Sequence, residues 1–355
     1  MIISRTPFRI SFFGGGTDYP AWFREHGGAV LATSIDKYCY LTCRYLPPFF
    51  EHRLRIVYSK IENCKTIDDI AHPAVREVLR FLKVERGLEI HCDNDLPARS
   101  GMGSSSSFTV GLLHALHALK GEMPDKPQLA REGIHVEQQL LQETVGCQDQ
   151  VMAAHGGLRQ VLFHEDGGIS VQPLTISRAR SAELNAHLML FYTGIARTSS
   201  DVARTYVTDL AAKRRQMRLM RDLVDEGTSI LAAGSDLTSF GELLHEAWLA
   251  KRSLGAHVSN PQVDELYAEA QAAGAIGGTL TGAGGGGFML LFVPLERQAA
   301  VRERLRNLVH VPFRFDAAGT QIIFFEAGED YAALDQERSG QSLSAFRELQ
   351  LPRAA

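Results

Sequence analysis

Residues 96–113 read LPARSGMGSSSSFTVGLL, a glycine–serine run that passes straight into an apolar segment. Apolar residues at 108, 112, 116 and 119 share one helical face, so the spacing predicts a helix over 108–119 with the serines at its start. Gly101 and Gly103 let the backbone turn and come close to a ligand. The unpaired N–H groups and positive pole of a helix start favour an anion. Ser100, Gly101, Met102, Gly103, Ser104, Ser105, Ser106 and Ser107 are therefore a candidate phosphate cradle. No Gly-Lys-Ser/Thr follows the glycines, so this is not a Walker loop. A serine hydroxyl here also suits Mg²⁺, a hard cation that takes oxygen ligands. The plainer alternative is a serine-capped helix after a flexible link.

Around this loop, strand-like and helix-like segments alternate. Phe8, Ile10 and Phe12 alternate with Arg9 and Ser11, a period-two strand. Residues 29–35, 38–46, 54–58, 88–92 and 158–164 also read as strands, and 73–82 and 129–142 as helices. The second half reads as strand 187–192, helices 200–226, 237–254 and 261–273, strand 288–293, helix 295–308 and a last strand at 321–326. The expected organisation is an α+β chain with an N-terminal domain over 1–178 and a smaller α/β sandwich over 179–328. The break falls near the polar residues 177–181, and the polar tail 329–355 is assigned no fold.

Two carboxylates stand out. Glu137 follows Ile134 and precedes Leu141 at helical spacing, which places it on the stripe that faces the core. A buried carboxylate needs a partner or a metal, so Glu137 is read as a Mg²⁺ ligand beside the serine loop or as the partner of an arginine. Asp149, twelve residues later in GCQDQ, follows a turn at Gly146. It is a candidate to orient or deprotonate a substrate hydroxyl, or else a helix cap.

Two further glycine clusters flank these elements. FRISFFGGGTDYP (8–20) places Gly15, Gly16, Thr17, Asp18 and Tyr19 just after a strand, as a loop for a polyhydroxylated ligand. Arg9 upstream is a candidate to neutralise transferring phosphate. LTGAGGGG (280–287) precedes another buried strand and brings in Gly284 and Gly285 as close-packing or ligand contacts.

Composition removes several classes. With 355 residues, 45% hydrophobic and 22% charged, the chain reads as globular rather than disordered. A net charge of −4 gives no global pull toward nucleic acid or anionic membrane. The basic run KRRQMRLMR (213–221) reads as a solvated helix face. No run of 18 apolar residues is present, so no transmembrane helix is expected, and the N-terminus lacks signal-peptide character. The five cysteines form no Cys-x-x-Cys and read as reduced thiols of a cytoplasmic protein.

The ordered set TPFRISFFGGGTDYP, LPARSGMGSSSS and LTGAGGGG, with Glu137 and Gly-x-x-Asp-Gln in between, resembles the GHMP small-molecule kinases over about residues 5–326. The added motifs HGGAVL (26–31), GCQDQ (146–150), YTGIARTS (192–199) and AWLAKRSL (247–254) are similar to those of the D-glycero-D-manno-heptose 7-phosphate kinases in that family. The resemblance implies a GHMP kinase fold, with an N-terminal mixed sheet of the ribosomal protein S5 domain 2-like type and a ferredoxin-like C-terminal sandwich. It implies ATP-dependent phosphorylation of the anomeric hydroxyl of a heptose 7-phosphate, on the route to nucleotide-activated heptose for surface polysaccharide. ATP phosphates go to the serine loop, Mg²⁺ to Ser105 and Glu137, acceptor activation to Asp149 and sugar contact to Asp18. Arg197, with Lys251 or Arg252, is expected to receive the acceptor's own phosphate. A homo-oligomer is compatible with the sequence. Kinases for a free sugar such as fucose, or a silent sugar–nucleotide sensor, remain alternatives, whereas a dinucleotide enzyme fits poorly because SGMGSSS lacks G-x-G-x-x-G. Three departures stand out: Gly14-Gly15-Gly16-Thr17-Asp18 where sugar kinases such as galactokinase carry Gly-Glu-His-Thr-Asp, Arg99 in place of a glycine common in the wider family, and Thr279 where close relatives often carry lysine.

Overall fold

Alternation of apolar and polar residues builds the spine of the molecule, two long antiparallel strands, β1 (Ile2–Phe13) and β2 (Gly28–Tyr45). A computed structural model describes residues 1–195, 203–204, 207, 210–234, 236–327 and 331–338. The runs 29–35 and 38–46 are one strand rather than two. Its register against β1 shifts between Pro7 and Arg9, so β2 bends without breaking. Short helix α1 (Pro20–His26) joins the two strands, starting on a proline at its first position.

The bend lets β2 serve two partners. Its second half pairs with β5 (Leu88–Asn94), which carries β3 (Leu54–Val57) in parallel and β4 (Ile61–Cys64) beyond it. Its first half pairs with β6 (Leu158–Phe163), followed by β7 (Ile169–Pro173). Against this sheet pack α3 (Ser104–Leu119) and α5 (Gln148–His155), while α2 (Pro73–Phe81) and α4 (Lys126–His135) pack on α3. Val110, Leu112, Leu113 and Ala115 of α3 are fully buried.

The residues read as a domain break, 177–181, begin helix α6 (Arg178–His187), capped by the Ser177 hydroxyl. It leads into β8 (Leu188–Tyr192) of a second, antiparallel sheet, ordered β11-β8-β10-β9 with β9 (Gly277–Leu280), β10 (Phe288–Phe292) and β11 (Val309–His310). Helices α7 (Arg214–Ala233), α8 (Thr238–Arg252), α9 (Pro261–Ala272) and α10 (Gln298–Arg304) complete this half. The basic run lies on α7: Met217 and Met220 are buried, while Arg214 and Arg221 pair at the surface with Glu25 and Asp225.

The chain then returns to the first sheet. Strand β12 (Phe315–Asp316) pairs with β2 and β13 (Gln321–Phe325) with β1. Helix α11 (Ala332–Arg338) follows. The two sheets share an aromatic seam, in which Phe240 of α8 sits edge-on to Phe12 at 5.4 Å and to Phe13 at 5.1 Å. Such pairs contribute about 0.5–1.5 kcal/mol beyond area burial. All five cysteines are free thiols. Among the described residues no helix is long and apolar enough to cross a membrane.

Candidate active site

The glycine–serine run ends as expected at a helix start: Gly103, left-handed at φ 75°, is the residue before α3. The four serines then divide. Ser106 and Ser107 are buried, and their hydroxyls donate to Glu137 (2.9 Å) and to the Pro7 carbonyl (2.9 Å). Ser104 is half-buried and Ser105 exposed, and neither hydroxyl has a partner among the described residues. Ser100 is buried, with its hydroxyl on the Pro97 carbonyl at 2.7 Å. Met102 is fully buried and its carbonyl accepts from the Arg9 N–H at 3.2 Å. The loop is thus anchored from below, leaving the helix start and two hydroxyls open to a ligand.

Arg9 and Asp149 meet beneath that opening. The Arg9 Nε and Nη2 donate to the two Asp149 oxygens, each at 2.7 Å, and Nη1 donates to the Gly101 carbonyl at 2.8 Å. A planar guanidinium fits a carboxylate in this two-bond fashion, which fixes direction as well as charge. Arg9 is 3% exposed, while the Asp149 side chain keeps 25% of its surface open. A β-carbon placed on Gly103 would lie 3.5 Å from Asp149 Oδ2, so the aspartate faces the loop directly.

Glu137 is built differently. Helix α4, capped by Asp125, ends at His135, and residues 136–140 widen into a π turn in which the Leu141 N–H reaches the Val136 carbonyl at 2.9 Å. Single π turns inside helices recur at functional positions. The continuous helix expected over 129–142 is therefore interrupted where Glu137 turns inward. Glu137 is 1% exposed, and burial first, then the nearby Glu143 charge, pushes its pKa up to about 8. Hydrogen bonds from Ser106 and Gln150 pull the other way. Its Oε2 takes both Ser106 and Gln150, whereas Oε1 is buried with no partner. A buried bare carboxylate oxygen suits a hard cation.

The first turn of α5 ties the site together, one residue at a time. Gln148 donates its backbone N–H to Asp18 Oδ2 at 3.1 Å and pairs through its side chain with Ser11. Asp149 takes Arg9, and Gln150 donates to Glu137. The side chains of Gln148 and Gln150 went unread in the sequence, although they flank Asp149 in CQDQV and the chemistry of a buried Glu137 demanded a donor.

Asp18 is 1% exposed, with its carboxylate on the N–H groups of Gly16 (2.9 Å) and Gln148. Burial foremost raises its pKa to about 6. Gly146 does not act through a special φ. A β-carbon there would stand 1.9 Å from Asp18 Oδ2, so glycine lets the carboxylate lie against the backbone that leads to Asp149. The Thr17 hydroxyl bridges the Gly14 and Ala29 carbonyls, both at 2.8 Å, and Tyr19 precedes α1. Gly15, half-buried, and buried Gly16 border this turn.

The third cluster splits by position. Gly287 (φ 90°) lies so close to the serine loop that a β-carbon would stand 2.1 Å from the Ser100 carbonyl, which also accepts from the Phe288 N–H at 3.3 Å. Gly284 and Gly285 point their backbone elsewhere, with the Gly285 N–H on the Val258 carbonyl at 2.7 Å. Beside the Ser11–Gln148 pair, a small cavity is lined by Gly14, Gly15, Met220, Lys251, Thr279 and Gly282. Lys251 Nζ holds the Leu280 and Gly282 carbonyls at 2.6 Å each, and Arg252 pairs with Asp264 at 2.9 Å. Arg197 lies outside the described residues.

An aspartate paired with a buried arginine beside an open helix start suits the positioning that phosphoryl transfer needs. Residues 69–157 match the family model for the GHMP kinases N terminal domain, and residues 220–310 that for GHMP kinases C terminal. The chain belongs to the GHMP kinases.

It is 26% identical over 318 residues to the D-glycero-alpha-D-manno-heptose 7-phosphate kinase of Campylobacter jejuni, covering 86% of this chain and 93% of that one. It is 25% identical to the L-fucokinase/L-fucose-1-P guanylyltransferase of Bacteroides fragilis, over 86% of this chain and 36% of that one. Among solved structures, a D-glycero-D-manno-heptose 1-phosphate kinase from Bacteroides thetaiotaomicron superposes with a TM-score of 0.75 at 24% identity, over 92% of this chain and 100% of that one.

Proposed function

We propose that this GHMP kinase transfers the γ-phosphoryl group of ATP to the anomeric hydroxyl of D-glycero-D-manno-heptose 7-phosphate, giving the 1,7-bisphosphate for nucleotide-activated heptose. The observation that carries the phosphotransfer is the two-bond Arg9–Asp149 pair facing the helix start that would hold the phosphates. Phosphoryl transfer asks a protein mainly for positioning and charge stabilisation. Asp149 would accept the hydrogen bond of the attacking hydroxyl and align it, with its direction set by Arg9. The backbone N–H groups after Gly103 would cradle the phosphates, and the open Ser104 and Ser105 hydroxyls extend that cradle.

Glu137, through its bare Oε1, and Ser105 would hold Mg²⁺. When bound, the ion neutralises phosphate charge and polarises the transferring group. The acceptor would sit beside Asp149, against the first glycine cluster where Gly15 adjoins Gln148. The heptose phosphate is supported by the likeness to the Campylobacter relative and by the shared motifs, with Arg197 proposed as the cation for the distal phosphate.

The test is a kinase assay with heptose 7-phosphate, mannose 6-phosphate, mannose and fucose, with the product's phosphate position read by NMR. Turnover highest on heptose 7-phosphate, with the new phosphate at C1, is the expected result. Preference for fucose would move the chain to the free-sugar kinases, and no ATP turnover on any acceptor would sink the kinase reading.

A further inference from the structure

Three non-glycine residues among those described adopt left-handed backbone: Lys83 (φ 51°), Arg99 (φ 59°) and Gln142 (φ 54°). Lys83 comes just after the C-cap of α2, Leu82, and Gln142 just after Leu141, which caps the π turn, positions where a left-handed residue closes a helix. Arg99 ends no helix. It lies in the turn 97–100 of the serine loop, closed by the Ser100 hydroxyl on the Pro97 carbonyl. Such a position ordinarily goes to glycine, because any β-carbon crowds the neighbouring carbonyl.

Nothing among the described residues compensates for the choice. The Arg99 side chain is exposed and has no hydrogen bond or ion pair with any described residue. The residues after it are pinned: the Ser100 carbonyl accepts from Phe288 and the Gly101 carbonyl from Arg9. A strained residue held at a rigid rim, carrying an unused cation, is the pattern of strain kept for a ligand.

We propose that Arg99 is a phosphate contact for the bound nucleoside triphosphate. A guanidinium suits this role because its fixed fork matches phosphate oxygens and never loses its charge. The inference rests on the nucleotide-binding part of the proposed function.

Calorimetric titration of wild type, R99G and R99K with the non-hydrolysable analogue AMPPNP, with ADP and with adenosine, all with Mg²⁺, tests it, alongside thermal unfolding of the unliganded proteins. R99G removes the charge and relieves the strain. Its thermal midpoint is expected at or above that of wild type. Its affinity for AMPPNP and ADP should fall about tenfold, as for loss of one charged contact, with adenosine affinity unchanged. R99K should fall in between.

AMPPNP binding by R99G equal to wild type overturns the proposal, as does an equal loss on adenosine, which would mean a misshapen loop. Unchanged AMPPNP affinity with a raised KM for the sugar phosphate would move Arg99 to the acceptor. If wild type itself binds no AMPPNP, the nucleotide reading fails as well, a pattern distinct from a failure of R99G alone.

Discussion

Glu137 and Asp149 lie twelve residues apart, and the fold treats their carboxylates in opposite ways. Asp149 receives two guanidinium bonds from Arg9 and keeps a quarter of its side chain open. Glu137 is sealed in a π turn among neutral donors, and one of its oxygens is bare. The difference lies in where the compensating charge comes from. Asp149 has its cation built into β1, so it is an anion of fixed direction before any ligand arrives. Glu137 has no cation among its described partners, so burial keeps its proton on to about pH 8. A divalent ion would displace that proton, coupling metal binding to proton release. In the proposed mechanism one carboxylate would orient a hydroxyl and the other would wait for a metal.

The largest expected effect comes from the prepared anion. Asp149→Asn keeps shape and one acceptor oxygen but removes the charge. It should lower kcat by at least about a hundredfold, the scale of general-base loss. AMPPNP affinity should stay within about threefold, since the amide lies below the cradle and loses no phosphate contact. Steady-state kinetics with calorimetry decides this, and near-normal turnover would remove Asp149 from the chemistry.

Glu137→Gln should act through metal instead. Half-saturating Mg²⁺ should rise by about tenfold or more, the order seen when a site loses a ligand or its support. Calorimetric titration of Mg²⁺ into the AMPPNP complex reads it without turnover.

The same variant tests the proton. Folded Glu137 keeps its proton to about 8, against 4.5 for the ordinary acid, so between those values the folded state binds more protons than the unfolded one. Its contribution to stability is present below pH 4.5 and is lost as pH rises toward 8. Asp18 adds a slope of the same sign between 3.8 and about 6. Urea unfolding of the metal-free protein should therefore weaken from pH 6 to 8 in wild type, and that part of the slope should vanish in Glu137→Gln. A slope that survives the substitution would place the raised pKa elsewhere.

What the sequence disclosed follows the same division. Period-two alternation revealed β1, and helical spacing revealed α3 and the inward face of Glu137, because burial writes itself into apolar spacing. The bend that makes β2 one strand rather than two was hidden, since a register shift leaves no periodic mark. So was the π turn, where one added residue per turn erases the 3.6 period. The return of β12 and β13 to the first sheet depends on pairing between residues more than 270 positions apart, which local pattern does not encode. The role of Gly146 was legible as a turn, but its reason is the Asp18 carboxylate lying where a β-carbon would go. Gln148 and Gln150 were missed because a glutamine at a helix start is ordinary until its partners are known.

The smallest expected effects distinguish two adjacent serines. Family resemblance pairs Ser105 with Glu137 around the metal, whereas the hydroxyl that reaches Glu137 without metal is that of Ser106. Ser106→Ala removes a buried hydrogen bond and should cost about 1 kcal/mol in urea unfolding of the metal-free protein. Ser105 is exposed and unpartnered, so Ser105→Ala should change that stability by less than about 0.5 kcal/mol. With AMPPNP present, Ser105→Ala should then raise the Mg²⁺ needed for half-saturation several-fold, a loss that appears only once metal is added. If Ser106→Ala alone raises the Mg²⁺ requirement, the hydroxyl that tethers Glu137 is also the metal's ligand, and the division of labour between the two serines collapses onto one.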